Sequence, residues 1–290
     1  MLAEHHEVKK HIKQSLLRTC LLRKKTVDRF IFMFYYSGIV ISGIELKAKE
    51  YDVDKKAVEQ ALKEDLGVKK ELIVLKPLKA IPGDIPAYQG VATPGLCAQI
   101  GEVLKSGSLF YTTRENHQCY EGLIATGICE VSREEYRKAV EGFIDDFPYH
   151  KDVPTAMSFY ETCIKEIKLP KVENSCLVVG PLSKVDDPNL VLIFCNPKQA
   201  DILIRIQAYL GDLVKGYGGS GGCLFTIRHA FQSREPSFST SDLSWRMFVG
   251  LNENELTVTY PYEQLVRIAP HIKQTADYVN SFSSMFENLG

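Results

Sequence analysis

The sequence carries almost no net charge. Its 290 residues include 35 Lys and Arg against 36 Asp and Glu, which gives a formal charge of −1. Without an excess of positive charge, no overall field draws the chain to nucleic acid or to an anionic membrane. Hydrophobic residues make up 45% of the chain and charged residues 24%, a balance that excludes a disordered protein. The totals predict a folded globular protein for which nucleic acid is not the expected partner.

A hydrophobic run long enough to cross a bilayer is also lacking. The uncharged stretch Phe30–Ile44 has fifteen residues and is interrupted by two Ser-Gly pairs, whereas a spanning helix needs about twenty. We expect a buried helix or a subunit interface here, so a homo-oligomer is left open. The start, MLAEHHEVKKHIKQ, lacks the apolar core and small-residue cleavage site of a secretory signal. The predicted location is therefore the cytoplasm.

Several catalytic and metal-binding motifs are missing. The chain has no Gly-x-Ser-x-Gly elbow, no HExxH helix and no CxxC pair. These absences argue against a hydrolase triad of that type, a zinc protease, a zinc ribbon and a thioredoxin-like site. The eight cysteines are expected to be reduced in the cytoplasm.

The distribution of apolar residues predicts an α+β fold, a mixed sheet with packed helices. Strands are predicted at ELIVLKPL (71–78) and, after Ser175, at the short apolar runs CLVVGPL, VLIFC, CLFTI, MFVGL and LTVTY. A helix opens with Asn196 as N-cap and Pro197 at its first position, and a last helix begins near Tyr262. Because strands and helices do not alternate regularly, a mixed sheet is favoured over a parallel βαβ sheet.

Two regions are predicted along the chain. Residues 1–54 form a helical N-terminal extension, and residues 55–290 form the mixed α+β domain. Residues 46–66 have the apolar spacing of a helix-turn-helix, with Asp54 able to cap the second helix. That second helix is charge-balanced, however, and the turn lacks the usual glycine. The extension is thus a dimerisation or helix-turn-helix-like segment, and a ligand-responsive transcriptional regulator is an alternative function.

The tract GYGGSGGC, Gly216–Cys223, holds five glycines within eight residues. A dinucleotide or phosphate site needs such a tract to leave a strand and open a helix. Here the tract is predicted to follow a helix and enter the strand CLFTI, which argues against both. Glycines also allow the backbone to approach a bulky group closely, so Cys223 at the end of the tract is a candidate ligand.

Three cysteines lie in turn-like surroundings. They are Cys97 in TPGLC, Cys119 in TTRENHQC, and Cys223. The other five stand within apolar patterns and are predicted to pack in the core. These five are Cys20, Cys129, Cys163, Cys176 and Cys195.

Several landmarks occur in one order along the chain: KEDLGVKKELIVLK, GLCAQIGEVLKSGSLFYTTRENHQCYEGLIATG, LVLIFCNPKQADILIRIQAYL, GYGGSGGC and MFVGLNENELTVTYPYEQL. In this the sequence resembles the domain of unknown function 169 family, an archaeal and bacterial group with no assigned reaction. The resemblance covers about residues 55–280. It implies a pattern of three cysteines that falls on Cys97, Cys119 and Cys223.

Three thiolates gathered by the fold would suit a [4Fe–4S] cluster with one iron open to a substrate. Such an iron can act as a Lewis acid, for example in sulfur removal or transfer or in a dehydration of a small molecule. The backbone of the glycine tract is expected to approach the cluster. The residues predicted for that contact are Gly218, Gly219, Ser220, Gly221 and Gly222.

Alternatives to the cluster stay open. Zinc could be held by the three cysteines, or by two of them with His117 or His229. The three thiols could also be unrelated, in a metal-free small-molecule-binding protein. Asn116 and His117 are the predicted catalytic residues, because they could orient a ligand and supply a proton. Whether the protein is an enzyme is left open by the sequence.

Overall fold

The computed structural model describes residues 54–90, 95–145, 149–167, 171–217 and 222–287. The predictions for the N-terminal extension, including the apolar run and Cys20, lie outside these residues. The first described helix, α1 (Lys55–Gln60), is capped by the Asp54 carboxylate, which accepts from the Lys56 N–H at 3.4 Å. It continues as a π-helical turn, Ala61–Asp65. Gly67 follows with φ +77°, the left-handed conformation that ends many helices.

The centre of the fold is one seven-stranded sheet. Its spatial order is β2-β3-β1-β4-β7-β6-β5, and its neighbours are antiparallel except for the parallel pair β5 and β6. The strands are β1 (Ile73–Leu78), β2 (Phe110–Thr112), β3 (Cys176–Pro181), β4 (Leu190–Cys195), β5 (Lys215–Tyr217), β6 (Ser237–Ser239) and β7 (Leu256–Pro261). This mixed sheet with helices confirms the predicted α+β class.

Helices cover both faces of the sheet. They are α2 (Leu96–Ser106), α3 (Glu121–Ala125), α4 (Arg133–Phe143), α5 (Val153–Ile167), α6 (Pro197–Tyr209), α7 (Arg228–Ser233) and α8 (Tyr262–Glu287). The predicted start of α6 is confirmed: Asn196 Oδ1 accepts from the Gln199 N–H at 2.9 Å, and Pro197 occupies the first turn. Among the helices within the described ranges, none is both long and apolar enough to span a membrane.

Alternate strand residues pack into two separate cores. Ile73 and Leu75 face core A with α2, α3 and α7, whereas Val74 between them faces core B with α1, α6 and α8. The central strands are therefore buried on both sides, which explains their nearly continuous apolar sequences. Core A is the side that contains Cys97 and Cys223.

Two predicted strands are wrong. CLFTI forms a π-helical turn, Cys223–Ile227, which runs directly into α7, and MFVGL lies in a second π-helical turn, Trp245–Gly250. The segment before Asn252 therefore does not pair with β7, which pairs with β4 and β6 instead. Trp245 and Val249 are buried while Met247 is exposed, which is the four-residue spacing of a helix. A short apolar run does not distinguish a strand from a buried helical turn.

Candidate functional site

Each of the three loop cysteines lies where a chain segment enters a helix. Cys97 is the second residue of α2, whose N-cap is Gly95. Cys119 lies just before α3, and Cys223 opens the helical segment that ends with α7. Unpaired backbone N–H groups in the first turn of a helix favour a thiolate over a thiol.

The fold brings these three thiols close enough to act on one another. Burial is the main cause of the raised pKa of Cys223 and of Cys119. The nearby Cys97 and Cys119 thiols add to the first shift, and Cys97 adds to the second. A Cβ atom placed on Gly95 would lie 3.1 Å from Cys119 Cβ and 3.7 Å from its Sγ. The loop that carries Cys119 therefore packs directly against the start of α2, the helix that carries Cys97.

Two carboxyl groups accompany the thiols. Burial, followed by the neighbouring charge of Asp242, raises the pKa of Glu121 to about 7. Burial, followed by Asp242, also raises the pKa of Cys97 to about 12. We call the group formed by Cys97, Cys119, Cys223, Glu121 and Asp242 the thiol recess.

Cys119 and Glu121 are the members of this group that water reaches. Cys119 keeps an exposed side chain, and Glu121 is only partly buried. Loss of hydration among the surrounding protein atoms is nevertheless the largest cause of the raised pKa of both groups.

Cys223 receives an N–H group from a distant part of the chain. The indole Nε1–H of Trp245 donates to Cys223 Sγ at 2.9 Å. Such a donor stabilises sulfur as a thiolate. Burial raises the thiol pKa of Cys97 and of Cys119, and the nearby backbone N–H groups of Ala98 and Glu121 oppose that effect in part.

Asp242 joins two helical segments at the recess. Its Oδ2 accepts from the Gly222 N–H at 3.0 Å, and its Oδ1 accepts from the Trp245 N–H at 3.0 Å. Gly222 therefore uses its N–H within the protein. The other predicted cofactor-contact residues, Gly218, Gly219, Ser220 and Gly221, lie outside the described residues.

The structure corrects the predicted surroundings of the glycine tract. The tract begins in strand β5 and leads into a helical segment. The sequence predicts the opposite order, from a helix into a strand. The physical cause is the helical conformation of CLFTI. The Asp242 carboxylate nevertheless lies at the Gly222 N–H, where a phosphate at this helix start would bind, and two anions there would repel each other.

His117 and Asn116, the predicted catalytic pair, lie in local hydrogen-bond networks. His117 is buried, its Nε2 lies 2.9 Å from Thr112 Oγ1, and burial lowers its pKa to about 4. Asn116 Oδ1 accepts from the Thr113 N–H at 3.1 Å in the turn Arg114–Asn116. His117 is thus neutral near pH 7, and its catalytic role stays a prediction.

His229, the other histidine considered for zinc, is also engaged. Its Nδ1 lies 3.1 Å from the Tyr217 hydroxyl and its Nε2 lies 3.2 Å from Ser233 Oγ. Both ring nitrogens therefore have protein partners. Among the described residues, no group of three or more His, Cys, Asp or Glu side chains is arranged to hold a metal ion.

The remaining described cysteines behave as predicted for packing residues. All four are buried, and burial raises the pKa of each thiol: Cys129, Cys163, Cys176 and Cys195. Sequence reasoning missed Glu121, Asp242 and Trp245. Asp242 could have been found from the sequence, because an Asp before an apolar segment is a common N-cap.

The chain matches the family model of the domain of unknown function 169, described as uncharacterised ArCR, over residues 61–271. It therefore belongs to this family, as the resemblance predicted, and the match includes the whole thiol recess. No curated protein and no solved structure matches the chain.

Proposed function

We propose that Cys97, Cys119 and Cys223 bind an iron–sulfur cluster of the [4Fe–4S] type. The observation that carries this proposal is that three thiols from distant parts of the chain lie at neighbouring helix starts, where the Trp245 Nε1–H donates to Cys223 Sγ. Donors directed at sulfur favour thiolates, and buried thiolates need a cationic centre nearby. A cluster core supplies that positive charge, and its binding releases the thiol protons.

The charges around the recess support a cationic ligand. The charged group that acts on Glu121 is Asp242, another carboxyl. Arg114, close to Cys119 in sequence, is paired with Glu135 at 2.9 Å and lies over the Tyr120 ring at 5.0 Å. An anionic ligand would thus meet carboxyl groups, whereas the cationic core of a cluster would compensate the charge of the thiolates.

A cluster tolerates a wider separation of its ligands than a single ion does. Direct ligands of one zinc ion must lie within bonding distance of a common point, and the described side chains offer no such group. In a cluster, iron and sulfide atoms lie between the cysteine sulfurs, so the sulfurs are farther apart. The zinc alternative therefore has less support than the cluster.

The chemistry proposed for this centre is the activation of a small molecule. With three cysteines as ligands, one iron would lack a protein thiolate and could polarise a substrate oxygen or sulfur. Sulfur removal or transfer and dehydration are reactions of this kind. We place this function in the cytoplasm, where free thiols stay reduced.

The proposal is tested by anaerobic purification and reconstitution with iron and sulfide. We expect about four irons and four sulfides per chain and a visible charge-transfer absorption. Single Cys→Ala changes at positions 97, 119 and 223 should each abolish the full cluster. Cys195→Ala is the matched control, because Cys195 is a buried thiol in core B. A wild-type protein that takes up no iron, or a stoichiometric zinc ion instead, would contradict the proposal.

A further inference from the structure

A buried hydroxyl links two of the segments that carry cysteines. Thr112 is fully buried in core A at the end of β2. Its Oγ1 lies 3.0 Å from Gln99 Nε2 and 2.9 Å from His117 Nε2. Gln99 and His117 are also buried. The three side chains form one polar group inside an apolar core.

Each partner of Thr112 lies two residues from a cysteine of the thiol recess. Gln99 follows Cys97 on α2, and His117 precedes Cys119 in its loop. Thr112 itself is fixed by the sheet, where it pairs with Leu177 of β3. The hydroxyl therefore connects the segments that carry Cys97 and Cys119 to strand β2, which is held in the sheet.

We infer that Thr112, Gln99 and His117 are positioning residues that fix Cys97 and Cys119 relative to each other. This inference rests on the proposed cluster function. Hydrogen-bond partners behind the ligands commonly set ligand geometry, and their loss typically weakens metal binding about 10- to 100-fold.

Stability alone does not account for this polar group. Within the described chain, Gln99 Oε1 and His117 Nδ1 are buried without a hydrogen-bond partner. A buried polar atom left unpaired is costly, and apolar side chains of similar volume would fill a core better. The group is therefore better explained by the fixed directions that its hydrogen bonds impose.

The distances in the network favour one tautomer of His117. Thr112 Oγ1 accepts from the Gln99 amide N–H and has one proton to donate, either to His117 Nε2 at 2.9 Å or to Asn116 Oδ1 at 3.4 Å. The shorter distance favours donation to His117 Nε2. A neutral imidazole that accepts at Nε2 carries its proton on Nδ1. This tautomer can be observed in the metal-free protein.

The test compares Thr112→Val with Thr112→Ser. Valine keeps the shape and removes the hydroxyl, whereas serine keeps the hydroxyl. We expect Thr112→Val to lose cluster iron to a chelator about tenfold faster than wild type and to change the electron paramagnetic resonance spectrum. Thr112→Ser should keep the wild-type rate of iron loss and the wild-type spectrum. Tyr260→Phe is the control, because it removes a buried hydroxyl on the core B side.

Nitrogen-15 NMR of the histidine rings in the apoprotein separates this inference from the cluster proposal. If wild type binds no iron, the cluster proposal fails, and the positioning inference falls with it even where NMR finds the Nδ1–H tautomer. If wild type binds iron but His117 is the Nε2–H tautomer, or Thr112→Val retains iron and spectrum unchanged, the positioning inference alone is overturned.

Discussion

The indole Nε1 of Trp245 donates a hydrogen bond to Cys223 Sγ at 2.9 Å. Both side chains are buried in core A, and the Trp245 ring packs against Phe194 with 5.9 Å between ring centroids. The two residues are separated by 22 positions in the chain, so the fold creates this contact.

Trp245→Phe should make the reduction potential of the proposed cluster more negative. Phenylalanine retains an aromatic ring but removes the N–H donor. That donor stabilises the reduced state, in which the cluster sulfurs are more electron-rich. A difference of about 1 kcal/mol between the two states corresponds to a shift of roughly 40–50 mV for one electron. Protein-film voltammetry measures the potential. A variant with the wild-type potential would show that this hydrogen bond does not tune the centre.

Gly95→Ala should weaken the site, whereas Gly222→Ala should not. A Cβ on Gly95 would lie 3.1 Å from Cys119 Cβ, which forces the cysteine loop to move. On Gly222, the nearest atoms would lie at 3.4–3.7 Å, an ordinary contact, in a helical backbone conformation. We expect about tenfold weaker iron retention for the first variant only. Equal iron retention in the two variants would contradict the close packing of Cys119 on α2.

Gly101→Ala should destabilise the fold by about 3 kcal/mol. Its Cβ would lie 2.0 Å from the carbonyl oxygen of Phe248, so α2 and the turn Trp245–Gly250 would have to separate. Gly142→Ala in α4 is the control, because its Cβ would meet no atom within 4 Å. Alanine there should stabilise by up to about 1 kcal/mol. Urea unfolding measures both, and a Gly101→Ala variant as stable as wild type would refute the contact.

Replacing His229 should reduce the loss of stability at acidic pH. Burial, followed by Lys215, lowers the pKa of His229 below its ordinary value of 6.5, with Glu235 opposing. Below that value the unfolded chain binds a proton that the folded state takes up only at lower pH, so folding stability falls as pH falls.

Urea unfolding at pH 7.5 and pH 5.5 should therefore show a smaller difference in His229→Gln than in wild type. His117, which also titrates low, is unchanged in both proteins and does not affect the comparison. An identical pH difference in the two proteins would mean that His229 does not contribute.

The six-residue strands β1, β3, β4 and β7 could be predicted because their environment is simple, whereas the three-residue strands β5 and β6 were not predicted. Sequences such as VLIFC are buried on both faces, and capping residues such as Asn196 act locally. CLFTI and MFVGL could not be assigned correctly, because their helical conformation depends on packing against the sheet. The same limit applied to the site. The three cysteines stood out by their glycine and turn neighbours, but Glu121 and Asp242 join them only through tertiary structure.

Asp242 uses its two oxygens on two different helical starts, at Gly222 and at Trp245. Asp242 thereby holds the segment that carries Cys223 against the segment that carries Trp245. Separating the two segments would leave the backbone N–H groups of Gly222 and Trp245 without their acceptor. Cys119, by contrast, belongs to a loop and is exposed. Of the three thiols, Cys119 is therefore the one that a small molecule in solution would meet first, because Cys97 and Cys223 are buried.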